Sequence, residues 1–210
     1  MAARSYSRRR VLLGSGACAT AAVLAGAAAA ADALRRTPTQ VLGPFYPLEK
    51  PLDEDADLTL VKGRKAQARG QVIHVMGRVL NASGEPVSGA QIEIWQANAQ
   101  GRYTHPADRN PAPLDPNFQG YAKLLTDADG RYRFKTIKPG GYPAGDAMRP
   151  AHIHFDVAGK LNRLVTQMYF PDDPLNARDV QLLVADIRAP TPDLEPDSLL
   201  AHWNIVLENG

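Results

Sequence analysis

Val72-Ile-His-Val-Met-Gly-Arg-Val79, followed by Asn81-Ala-Ser-Gly-Glu-Pro86, decides the fold class: an apolar alternation that runs into a cluster of turn formers. The same two signals recur along the chain. Ala90-Gln-Ile-Glu-Ile-Trp95 alternates, Asp127-Ala-Asp-Gly130 makes a turn, and Arg131-Tyr-Arg-Phe134 alternates again. Ala151–Val157 and Arg163–Phe170 read as two more strands, and His202–Leu207 as a last one. Val180–Val184 reads as either a strand or a short helical turn. No long window after position 32 carries a helical period. Short strands separated by turns predict an all-β fold: a two-sheet β-sandwich with Greek-key connections, spanning 72–210. The irregular stretch Gly101–Lys123 is long for a connection inside a compact domain, which marks it as an active-site loop.

Working toward the N-terminus, residues 32–71 form an irregular arm punctuated by Pro38, Pro44, Pro47 and Pro51. Its acidic run Asp53-Glu-Asp-Ala-Asp57 lacks the spacing and glycine of a calcium loop and reads as a solvated segment. Residues 1–31 are of another kind. Ser7-Arg-Arg-Arg-Val-Leu-Leu13 leads into an uncharged Ala/Gly-rich stretch ending at Ala28-Ala-Ala-Ala31. This is the layout of a cleaved secretory signal, and the paired arginines fit twin-arginine export to the periplasm or beyond. A membrane anchor needs about 20 strongly apolar residues, and this stretch is only weakly hydrophobic, so no stable span is expected after cleavage.

Cys18, the single cysteine, lies inside the signal. Ser15 stands where a lipidation signal usually carries Leu, and the mature chain is left without thiol chemistry. The signal holds four arginines and no acid, so its removal leaves 20 basic against 22 acidic residues, a net charge of −2 in place of +2. The basicity belongs to the signal, and no nucleic-acid surface is expected. At 210 residues, 44% apolar and 22% charged, the chain has the makings of one globular domain.

The chemistry concentrates in Arg149-Pro-Ala-His-Ile-His-Phe155. On a strand His152 and His154 point to one face, while Ile153 and Phe155 point into the core. Two imidazoles at one point make half a metal site, but a lone H-x-H is as readily structural. Tyr142, in Gly140-Gly-Tyr-Pro143, and Tyr103, in Gly101-Arg-Tyr103, supply phenol groups nearby in sequence. Each residue has a plainer alternative alone: a surface or turn tyrosine, an ion-paired arginine, an ordinary strand glutamine. His74 reads as a strand residue, His105 as lining the pocket mouth, and Trp95 as core.

Taken together these segments resemble the intradiol ring-cleaving dioxygenases, most of all the iron-bearing subunits of the protocatechuate 3,4-dioxygenases. The matching runs are Leu42-Gly-Pro-Phe-Tyr-Pro47, Trp95-Gln-Ala-Asn98, Gly101-Arg-Tyr103, Gly130-Arg-Tyr-Arg-Phe134, Arg149–Phe155 and Thr166-Gln-Met-Tyr-Phe170. The resemblance implies Fe(III) bound by Tyr103, Tyr142, His152 and His154, with Arg149 as the active-site cation, Gln167 in the substrate pocket and Tyr142 as the ligand that takes a substrate proton. It implies a catechol-type substrate, cleaved with O2 to a cis,cis-muconate-type diacid, and either self-association or a related partner subunit. Phenolate is a hard anion suited to a hard, highly charged ion. Two tyrosinates and a hydroxide balance the charge of Fe(III), so the buried site is neutral overall and avoids a large desolvation cost. The segments from Tyr142 to Arg149 and from His154 to Gln167 are shorter than expected for the protocatechuate enzymes, which leaves the catechol unspecified. Two other readings stand beside this one: zinc in the same pocket, and a non-catalytic transthyretin-like or carboxypeptidase-regulatory-like binding module, which does not need the histidine pair and is suggested by Gly84-Glu-Pro-Val-Ser-Gly-Ala90 and Thr126-Asp-Ala-Asp-Gly-Arg-Tyr132.

Overall fold

The computed structural model describes residues 34–51, 55–178, 185–189 and 191–209. Residues 1–31, read above as an export signal and including Cys18, part of the acidic run, and residues 180–184 lie outside them. The described chain is eleven strands and one 3-10 turn: β1 Val72–Leu80, β2 Gln91–Trp95, β3 Tyr121–Leu125, β4 Arg131–Ile137, β5 Tyr142–Ala144, β6 Ala147–Arg149, β7 His152–Ala158, β8 Arg163–Tyr169, the turn Pro174–Arg178, β9 Asp186–Arg188, β10 Leu199–His202 and β11 Ile205–Val206.

Two sheets form the sandwich. In one, β1 is flanked by β4 on one side and by β10 and β11 on the other, with β9 beyond β10. The other runs β3-β2-β7-β8. Strand β2 pairs with β3 and with the distant β7, a non-sequential neighbour of Greek-key type. The sheets meet through the inward residues that alternation assigns to the core: Ile73, Val75 and Phe134 from one, Ile92, Ile94, Ile153, Phe155 and Val157 from the other. Phe155 is central, with ring contacts to Tyr132, Phe134 and Trp203.

Three local features depart from the sequence expectation. Tyr121–Leu125, whose first three residues fall within the stretch read as a long loop, is the edge strand β3, with Tyr121 in register with Trp95. A hairpin, β5–β6, turns at Gly145-Asp146 between Tyr142 and Arg149. The last strand is broken in two. Trp203 carbonyl bends toward β1, where a Cβ on Gly77 would lie 1.8 Å from its oxygen. Tyr132 donates to that same carbonyl at 2.6 Å. Both pieces run parallel to β1, an arrangement that alternation cannot reveal.

The arm crosses the outer face of the second sheet. Gln40 N–H donates to Val165 carbonyl at 2.8 Å, along the free edge of β8. Among the described residues no helix is long and apolar enough to cross a membrane.

Candidate metal and catechol site

The outer face of the second sheet carries the site, and strand register assembles it. Tyr121, Trp95, His154 and Gln167 lie side by side across β3, β2, β7 and β8. His152 and Tyr169 form the next pair along β7 and β8. All six are buried.

The tyrosines arrive on two loops that touch backbone to backbone. A Cβ on Gly101 would lie 2.1 Å from Gly141 carbonyl oxygen, and Gly101 also has φ +77°, so only glycine allows this approach. Asn98 organises the first loop. Its Oδ1 accepts from Gln100 and Arg102 N–H, and its carbonyl accepts from Gly101 and Gly140 N–H. Asp108 then holds Tyr103 N–H at 2.7 Å. The result places the Tyr103 and Tyr142 rings edge to face at 5.2 Å. Tyr142 also stands directly opposite Arg149 in the β5–β6 hairpin.

The polar atoms converge. His152 Nδ1 faces Pro150 carbonyl at 2.7 Å, which makes it the protonated nitrogen and leaves Nε2 a lone pair. That Nε2 lies 3.2 Å from His154 Nε2 and 3.4 Å from Tyr142 Oη. Trp95 stacks on the His154 ring at 4.7 Å and 8°, fixing its plane. Gly43, also with positive φ, lets the arm close over the same ring, where a Cβ would meet His154 Cε1 at 3.2 Å. Trp95 is thus buried, but against the site and not in the main core. Arg149 Nη2 donates to Gln167 Oε1 and to Tyr169 Oη, each at 2.9 Å. Gln167 Nε2 donates to Val41 carbonyl on the arm.

Electrostatics agree with a cation site. Burial, then the charge of Arg149, pulls His152 down to about 3. Burial, His152 and Arg149 hold His154 well below the ordinary histidine range. Both rings are therefore neutral and able to donate lone pairs. Burial and then Tyr142 push the Tyr103 phenol well above its usual value. Its hydroxyl completes no hydrogen bond of good geometry, and neither does His154 Nδ1. An orphaned buried hydroxyl beside two facing imidazole nitrogens is a set of donors lacking a positive centre. Two nitrogens each about 2.1 Å from one ion lie at most about 4.2 Å apart, and the observed 3.2 Å fits within that. Among the described residues no three His, Cys, Asp or Glu side chains group together, so any metal held here depends on the tyrosines.

All the sequence-predicted site residues meet in this region: Tyr103, Tyr142, His152 and His154 around the point of convergence, Arg149 and Gln167 beside it. His105 stands at the margin, 5.8 Å from Phe45. His74 lies on the other sheet, bonded to Glu195 at 2.6 Å. A cavity of about 220 Å³, lined by Phe45, Trp95, Tyr103 and Tyr121 among others, borders the Tyr103 side. A larger one, about 840 Å³, wraps the β4 edge near Arg78, Arg131 and Arg133 and includes none of the site residues. Sequence reasoning missed Tyr169 and also Glu93, whose buried carboxylate accepts from Tyr46 at 2.5 Å and Lys50 at 2.7 Å. The Gln167-x-Tyr169 alternation carried the signal for the first.

The family profile described as "Dioxygenase" matches residues 41–209. The chain belongs to the intradiol ring-cleaving dioxygenases. It is 48% identical over 169 residues to the protocatechuate 3,4-dioxygenase beta chain of Burkholderia cepacia, covering 77% of this chain and 68% of that one. It spans about half the length of the hydroxyquinol and catechol 1,2-dioxygenases it also matches. Among solved structures, the dioxygenase domain of a dioxygenase–carbohydrate-binding fusion from Streptomyces sp. SirexAA-E superposes with TM-score 0.64 at 26% identity, over 84% of this chain and 100% of that one. Hydroxyquinol 1,2-dioxygenase from Pseudomonas putida DLL-E4 gives 0.66 at 26% identity, over 83% and 67%. This intradiol dioxygenase is therefore an enzyme, and the binding-module reading is set aside.

Proposed function

We propose that this enzyme holds Fe(III) through Tyr103, Tyr142, His152 and His154 and cleaves a catechol between its two hydroxyl-bearing carbons, with O2, to a cis,cis-muconate-type diacid. The supporting observation is the convergence of His152 Nε2, His154 Nε2 and Tyr142 Oη beside the orphaned Tyr103 hydroxyl. Bound there, ferric iron supplies a Lewis acid and a one-electron partner for the catechol. Both oxygen atoms enter the product, so no external reductant is required.

The chain's own residues perform the remaining tasks. The two imidazoles, kept neutral by burial, hold the ion without adding charge. Tyr103, anchored through its N–H to Asp108, stays in place. Tyr142, at the mouth of a short hairpin, is the phenolate that takes a proton from an incoming hydroxyl. Arg149 faces the same space and stabilises negative charge that develops on the ring oxygens. The arm, closed over His154 at Gly43, excludes water.

The name of the Burkholderia relative makes protocatechuate the first substrate to try, and its being a beta chain supports a related partner subunit or a second copy of this chain. The Ser7–Leu13 and Ala28–Ala31 segments support export through the twin-arginine route. The deciding experiment is metal analysis, a visible spectrum and O2 uptake on purified protein with catechol, protocatechuate and hydroxyquinol. A broad phenolate-to-iron band and O2 consumption with at least one of them are expected. A well-folded, colourless protein that consumes no O2 after iron loading overturns the proposal, and zinc at full occupancy would reassign the metal.

A further inference from the structure

We propose that Tyr169 is a positioning residue: its hydroxyl fixes the guanidinium of Arg149 in the attitude the reaction uses, and couples that attitude to the N-terminal arm. The inference rests on the ring-cleavage reading above. Tyr169 has no place in the metal set. Its ring lies 5.4 Å from His152, and register puts it opposite that histidine on β8. Its oxygen accepts from Arg149 Nη2 at 2.9 Å, and Arg149 Nη2 also donates to Gln167 Oε1 at 2.9 Å. Tyr169 Oη stands 2.8 Å from that same Oε1. Three groups thus close a triangle of hydrogen bonds around one guanidinium nitrogen.

The triangle is tied to the arm at two corners. Gln167 Nε2 donates to Val41 carbonyl at 3.1 Å, and Tyr169 Oη lies 3.2 Å from Gln40 Oε1. A phenol has a single proton. When Tyr169 donates to Gln167 it cannot also donate to Gln40, so the two acceptors compete for it. Arginine is otherwise free to swing about several torsions, and placing it within a fraction of an ångström is what gives a preorganised cation its effect. Both nitrogen-bound hydrogens of Nη2 have protein acceptors, which fixes the plane of the guanidinium on a residue that stands opposite Tyr142 across the β5–β6 hairpin.

Tyr169→Phe tests this, because it keeps the ring beside His152 and deletes only the hydroxyl. The iron-loaded variant is expected to keep the wild-type visible band, since no metal ligand is touched. Its kcat is expected to fall roughly 10–100-fold, the scale of losing an outer-shell partner, with KM changed by no more than about threefold. Combined with Gln167→Ala, the loss should be less than the product of the single losses, because both act through Arg149. A metal-free readout accompanies these: the Arg149 side-chain N–H signal in ¹⁵N NMR, expected to be resolved in the wild type and exchange-broadened in Tyr169→Phe. Wild-type kcat in the variant, or an Arg149 signal unchanged from wild type, overturns the proposal. An altered visible band overturns it too, by showing that the residue acts on the metal. If the wild type itself shows neither band nor turnover, the ring-cleavage reading has failed, while the NMR result still reports on the Arg149–Tyr169 contact.

Discussion

Two adjacent rows of the same sheet face bury polar side chains to opposite ends. In one row Glu93 of β2 stands directly opposite Asp156 of β7, two buried carboxylates side by side. Like charges in that register destabilise a sheet, yet each is answered. Lys50 and Tyr46 satisfy Glu93, and Arg163 grips Asp156 through Nε at 2.8 Å and Nη2 at 2.5 Å. Burial works against ionisation of Glu93, but the bonds from Lys50 and Tyr46 outweigh it and hold its carboxyl below the usual range. One step along the strands, His154 leaves Nδ1 without a partner, and Tyr103 beside it leaves its hydroxyl so. The first row is complete within the protein. The second is complete only with something added, and that contrast separates structural from functional burial.

The largest effect should come from the incomplete row. Tyr103→Phe or His154→Ala is expected to shift or weaken the visible band, since Tyr142 remains as a phenolate ligand, and to lower turnover roughly a thousandfold or more, beyond the 10–100-fold cost of losing an outer-shell partner. An unchanged spectrum together with wild-type turnover in either variant would break the contrast.

The second test uses pH. In metal-free protein His152 and His154 stay neutral in the fold but accept protons when unfolded, near the ordinary value of 6.5. The unfolded state therefore binds more protons over this range, and stability falls as pH drops from about 6.5 toward about 3. The expected loss is a few kcal/mol, read as a declining Tm, and it starts from a higher Tm once iron is loaded.

The complete row should respond in stability alone. Glu93→Gln removes the charge that Lys50 and Tyr46 bond, and about 1–3 kcal/mol of unfolding free energy should be lost. The visible band of the iron-loaded protein should persist, and its disappearance would show that the rows are not separable. Arg163→Ala should have the smallest effect, about 1 kcal/mol or less by denaturant midpoint, because the Arg163 side chain is 64% exposed.

Period-two alternation made the core legible: Ile92, Ile94, Ile153 and Phe155 fall inward as their spacing requires. It also placed His152 and His154 on one face. Strand β3 was hidden because Tyr121-Ala-Lys-Leu-Leu125 alternates poorly, its exposed Leu125 interrupting the pattern. The break at Trp203 was hidden because it depends on Gly77, more than a hundred residues away. The alternation of Ala90–Trp95 puts Glu93 on the outward face, with no sign that it is buried. Its burial comes from Tyr46 and Lys50 on the arm, and no local pattern encodes a cover supplied from elsewhere. The tyrosine pair was reached through family resemblance. The physical basis for their meeting, the contact of Gly101 with Gly141, appears only in three dimensions.

The arm has a consequence for the edge it lies along. Gln40 N–H caps Val165 on the outermost strand, and Thr166 Oγ1 reaches Pro38 carbonyl, so this short stretch masks backbone that would otherwise template pairing with a neighbouring molecule. Trimming past Gln40 would expose a sticky sheet margin and also remove Val41 from Gln167. One short stretch of the arm therefore covers a sheet margin and steadies a site side chain at once.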